Sequence, residues 1–211
     1  MKSSCRNTRA CLLAALLLAC SAPMRASAAT PAPGDAATPP GYTLAYTGSP
    51  HDFDYFQGAW TTEQHRLLNR GTGGKGPWET FPATLCMTEY LDGRATVDEL
   101  YFPTKGWAGL TLRLFDPARK QWSIYWVSSA DGKLGPPVFG GFHGKQGEFY
   151  GEDHDQGRPV KVRFLWTELD HDHARWEQAF SYDNRTWETN WTADFVRANP
   201  ADTCTRGRPK R

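Results

Sequence analysis

Between residues 58 and 197, apolar and polar side chains alternate in short runs with a period of two. That is the spacing of strands that bury one face. In Trp187–Phe195, the residues Trp187, Thr189, Trp191, Ala193 and Phe195 share one face, and Glu188, Asn190, Thr192 and Asp194 share the other. Trp122, Ile124 and Trp126 align likewise, as do Val160, Val162, Phe164 and Trp166 opposite Lys161 and Arg163. In Gly109–Phe115, Leu110, Leu112 and Leu114 alternate with Thr111 and Arg113, and the pattern turns the leucines inward. Turn chemistry separates the runs: LDGR at 91–94, DPARK at 116–120, SADGK at 129–133, GKQG at 144–147, DHDQG at 153–157, DHDH at 170–173 and YDNR at 182–185. Each places Gly, Pro, Asn or Asp where the backbone must reverse. Connections this short make sequential strands antiparallel neighbours, and closing the meander removes its exposed edges. The predicted fold class is all-β: a single closed antiparallel up-and-down barrel of about ten strands.

The flanks read differently. Residues 1–28 have the build of an export signal: Lys2, Arg6 and Arg9 precede the apolar run Ala10–Ala19, which is too short to span a bilayer as a helix. Two processing sites compete. Ala26-Ser27-Ala28 is an A-x-A cleavage site, whereas Leu17-Leu18-Ala19-Cys20 resembles a bacterial lipobox, which would end the signal at residue 19 and lipidate Cys20. Either places the protein outside the cytoplasm, in the periplasm or held in the cell envelope by a lipid. Residues 29–50 are Pro- and Ala-rich and read as an unstructured spacer, residues 51–197 as the folded domain, and residues 198–211 as a solvated basic tail. A net charge of +1 gives no electrostatic case for a nucleic-acid partner, and contact with a membrane is expected only through the lipid anchor. Once Cys5, Cys11 and Cys20 are set aside, Cys86 and Cys204 remain. In an oxidising compartment they are expected to pair, the alternative being two free thiols.

Closure sets the first strand against the last. Trp60 opens the first and Arg197 ends the last, two residues beyond Phe195 and so also inward-facing. An arginine laid over an indole plug would cork the barrel floor, with Asp52 or Asp54 capping the short turn YFQG. QGAW and FVR here resemble the lipocalin-like (calycin) barrels, in which a Gly-x-Trp opens strand one and an Arg of the last strand covers it. The longer strings HDFDYFQGAW, GLTLRLFDPARKQWSIYW, FYGEDHDQGRPVKVRFLW and ARWEQAFSYDNRTWETNW resemble an uncharacterised family of bacterial exported lipocalin-like proteins. The resemblance implies a fold and brings no established activity.

The expected function is binding of a small hydrophobic or aromatic molecule in a Trp-rich interior, without catalysis and without a cofactor. Trp122, Trp126, Trp166, Trp176, Phe180, Trp187 and Trp191 are its expected walls, with Gln178 and Thr189 as polar anchors. A four-residue loop at 182–185 would set Trp176 opposite Trp191 and Phe180 opposite Trp187. A core filled by these rings would instead make a structural envelope protein. Catalysis on a small molecule would require Glu177 and Arg175 to turn inward through a one-residue register change. Haem would need an inward histidine, His143 or His65. No metal site is expected, because His154 and the pair His171 and His173 belong to connections at opposite ends of a shared strand. No nucleophile elbow, phosphate-binding loop, dinucleotide fingerprint or C-x-x-C motif occurs.

Overall fold

The computed structural model describes residues 37–211; the export signal and Cys20 lie outside the described residues. Among the described residues, ten strands form one closed antiparallel sheet of mean radius 10 Å. They are β1 (Gly58–Leu67), β2 (Trp78–Tyr90), β3 (Ala95–Phe102), β4 (Trp107–Asp116), β5 (Gln121–Ser128), β6 (Val138–His143), β7 (Gln146–Asp155), β8 (Arg158–Glu168), β9 (His173–Ser181) and β10 (Glu188–Ala198). Each pairs with the next, and β10 returns to β1, with Ala59 opposite Ala198 and Arg66 opposite Trp191. The seven turn segments read from the sequence all fall at connections between strands. Among the described residues no helix is long and apolar enough to cross a membrane.

The floor is corked as the sequence suggests. A 3₁₀ turn, Asp54–Phe56, enters the barrel below β1, and its Phe56 stacks on the fully buried Trp60 with ring centroids 5.0 Å apart. Trp60 Nε1 donates to the Phe56 carbonyl at 2.8 Å. Trp60 pairs directly with Arg197 across the β1–β10 seam, and the guanidinium lies 4.2 Å from the indole centroid. The same guanidinium donates to the carbonyls of Tyr55, Gln57 and His171, so one side chain satisfies three backbone acceptors where no ladder can. Neither Asp52 nor Asp54 caps the turn, because Phe53 holds the cap position without a side-chain bond. Asp52 instead accepts from the Ser49 and Phe142 amides and ties the turn to β6, while Asp54 pairs with His51.

The N-terminal flank departs from expectation. From Pro39 to Ser49 the chain is a strap along the outer wall, not a free spacer. Trp187 Nε1 donates to the Pro40 carbonyl, Gln121 donates to the Leu44 and Tyr46 carbonyls, and Trp122 Nε1 donates to Ser49. Tyr42 and Tyr46 lay their rings against Tyr150. The aromatic rings and the side-chain donors that the wall offers to the strap's carbonyls outweigh the composition of the segment. The basic tail keeps Arg206, Arg208, Lys210 and Arg211 exposed, as expected, but its backbone is folded and not free. A short helix, α1 (Pro200–Thr203), and the hairpin of β11 (Cys204–Thr205) with β12 (Arg208–Pro209) fold back onto β2 and β3. Cys204 is bonded to Cys86 on the outer face of β2, and Arg211 pairs with Glu99.

Candidate ligand-binding cavity

The interior is largely filled by aromatic rings, yet it keeps a cavity of about 140 Å³. Trp126, Trp166, Trp176, Trp191, Phe164 and Phe180 wall it, with Gln64 and Gln178 as polar members. Of the expected walls, then, Trp126, Trp166, Trp176, Gln178, Phe180 and Trp191 come together. Trp122 also faces inward, but it sits below the cavity, packed edge-on against Phe53. Trp126 lies across Gly109, an inward position of β4 where any Cβ would collide with the indole.

Trp187 and Thr189 are corrected: neither lines the cavity. A β-bulge in β10 sets Asn190 and Trp191 together opposite Gln178. One extra residue reverses the alternation below it, so Thr189 pairs with the outward Ala179. Trp187 packs outside against Tyr150 and Arg163. The facing pairs become Trp176 with Ala193, Gln178 with Trp191 and Phe180 with Glu188. Asn190, fully buried, accepts from Gln178 Nε2 at 2.7 Å, and Trp191 Nε1 donates to Gln64 Oε1 at 2.8 Å.

The second correction lies on β4. Thr111 and Arg113 point inward, whereas Leu110 and Leu114 are each 37% exposed on the outside. Trp107 and Phe115 share the phase of Thr111 and Arg113, and pairing with β3 holds that face inward, with Phe102 opposite Trp107 and Asp98 opposite Thr111. The Arg113 side chain is 1% exposed. Its charge is met by the equally buried Asp98, to which Nη1 donates, and by the faces of Phe53 and Trp166, 4.8 and 5.1 Å from the guanidinium carbon. The pair lines the cavity floor. Arg113 Nε, Trp166 Nε1 and Asn190 Nδ2 are buried donors without a partner among the described residues.

The cavity opens toward the end of the barrel opposite the cork. Gly135 and Pro136 of the β5–β6 connection border it, with Glu152 and Asp153 of β7. Pro136, Glu152 and Asp153 also border a solvent groove continuing past Lys161 and Tyr182. The β5–β6 pairing spans only Trp122–Ile124 with Val138–Gly140, so the upper half of β5 has no ladder partner on β6. Across the same rim, the β1–β2 connection, residues 68–77, forms a lid. The Gly71 and Gly74 amides, both at positive φ, donate to the Glu188 carboxylate at 2.7 and 2.9 Å. Arg70 bonds Asp155 Oδ1 through two nitrogens, and Tyr182 donates to Oδ2. Burial opposes the charge on Asp155, but the bonds from Arg70 and Tyr182 hold its carboxyl below the usual range.

The remaining candidates lie elsewhere. Arg175 and Glu177 pair on the outer face at 3.0 Å, with Asp194 at 2.6 Å, because β9 sits in the register that turns Trp176 inward. They share no pocket with the tryptophans. His65 faces outward beside Glu63 and Thr80, and His143 ends β6 against Tyr46. Among the described residues no histidine lines the cavity. His154 lies at the upper end of β7, while His171 and His173 bond Asp172 and Asp170 in the β8–β9 connection. Among the described residues no group of His, Cys, Asp or Glu is arranged to hold a metal. No protein-family model and no curated protein sequence matches the chain.

Proposed function

We propose that the chain is an exported lipocalin-like barrel of the bacterial cell envelope, secreted to the periplasm or lipidated at Cys20, that binds a small hydrophobic or aromatic molecule without catalysing its conversion. The observation that carries this reading is the interior cavity of about 140 Å³ walled by four tryptophans. That is close to the roughly 150 Å³ of an engineered apolar cavity that holds benzene. It is smaller than the roughly 300–1,000 Å³ of drug-sized sites, so a single ring suits it better than an extended lipid or a porphyrin. The exterior position of Arg175 and Glu177 favours binding over chemistry at that pair.

Intrinsic tryptophan fluorescence tests the reading. Trp126, Trp166, Trp176 and Trp191 all line the cavity, so one-ring aromatic probes should quench or shift the emission saturably, and Trp126→Ala should change the response. A flat titration with every such probe would instead support a structural envelope protein with a filled core.

A further inference from the structure

We infer that the ligand is a cation: a one-ring molecule with a protonated amine on a short arm, its ring held in the cavity and its ammonium by Asp153 at the mouth. The inference rests on the binding reading above and narrows its ligand class. On β7, Phe149, Gly151, Asp153 and Asp155 share one phase. Phe149 lies in the core, and Asp153 stands directly opposite Val160, which is buried. Residues directly opposite on neighbouring strands project to the same side of a sheet, so Asp153 is an acid at an inward position. It is only half-buried, and it borders both the cavity and the groove that leads out of it.

A carboxylate on an inward face is costly unless something meets its charge. The neighbouring Asp155 is met by Arg70 and Tyr182. Asp153 accepts only from the next amide, that of His154, at 2.7 Å, and among the described residues it has no ion-pair partner. The cations close by are engaged elsewhere: Lys161 pairs with Glu152, and Arg158 lies over Tyr182, 4.7 Å from the ring centroid. On the cavity floor Arg113 is matched by Asp98. Of the charged residues lining the cavity, Asp153 is therefore the one left uncompensated. Such a mouth draws a cation and turns an anion away. The walls act in the same sense, because indole is the side chain whose face attracts a cation most strongly. The spacing fits as well. Val162 and Phe180, opposite each other, line the cavity two residues from the level of Asp153 and Val160, roughly 7 Å along the strand. A ring at that level with an amine on a two-carbon arm spans the interval.

Calorimetric titration of the full processed chain with phenethylamine, phenethyl alcohol and hydrocinnamate, at neutral pH and low salt, tests this. The three share a ring and differ in charge. The wild type should bind phenethylamine at least about fivefold more tightly than the alcohol, and hydrocinnamate more weakly than either. Asp153→Asn keeps the shape of the side chain and removes its charge. It should bring phenethylamine to within about twofold of the alcohol and leave the alcohol itself within the same margin. Added salt should erode the amine's advantage in the wild type and have little effect in the variant. Equal binding of amine and alcohol by the wild type would overturn the ammonium assignment while leaving the cavity reading intact. An amine preference that survives Asp153→Asn would do the same. Binding of none of the three would remove both.

Discussion

Arg113 was the residue hardest to read from the sequence. Three leucines alternating with Thr and Arg argue for buried leucines, and the counter-signal, Trp107 and Phe115 in phase with Arg113, sits at the ends of the strand. Charge alone gave no hint that Asp98, fifteen residues upstream, would meet the guanidinium across the β3–β4 ladder. Arg197 was legible for the opposite reason. Closure fixes which residues share the seam, and Trp60 is the one large ring at its start. Replacing Arg197 with Ala deletes the cation over the indole and strands three carbonyls. It should lower stability by about 2–4 kcal/mol and Tm by roughly 5–10 °C, with a shift in the buried Trp60 emission. Unchanged thermal unfolding would remove the arginine from any role in closing the floor.

At the scale of elements, strand existence and order followed from alternation and turns, while phase within β10 did not. Asn190 carries no glycine or proline to announce a bulge, and the bulge alone moved Trp187 and Thr189 outside. The lid was also missed, since residues 68–77 look like any polar, glycine-rich loop; its structure comes from distant carboxylates, Glu188 and Asp155. The lid is acid-sensitive. Asp155 is depressed from an ordinary 3.8 in the folded state, so it contributes stability that is complete above about pH 5 and disappears as the pH falls through its folded value. Melting of the wild type and Asp155→Asn should therefore differ near neutrality, with the wild type higher, and converge below pH 3.8. A gap of constant size down to pH 2 would show that Asp155 does not hold the lid by its charge.

Across the whole molecule, cysteine count gave the Cys86–Cys204 bond, but composition misjudged the Pro-rich flank. A Pro-rich segment and a basic tail lack a core of their own, and each borrows the barrel's outer wall. The disulfide joins residues 118 apart in sequence and so restrains most of the unfolded barrel. Cys86→Ser with Cys204→Ser should cost about 2–4 kcal/mol while leaving the strand circular dichroism intact. Trypsin should then cut sooner after Arg206, because the tail hairpin loses its staple. A tail as resistant as before would mean that Arg211 and β12 hold it without the bond.

The strap fixes one more property. Pro40 meets the wall beside Trp187, immediately before β10, at the end of the barrel where Glu188 grips the lid and Asp153 borders the opening. The polypeptide therefore boards the barrel at its doorway, not at the corked base.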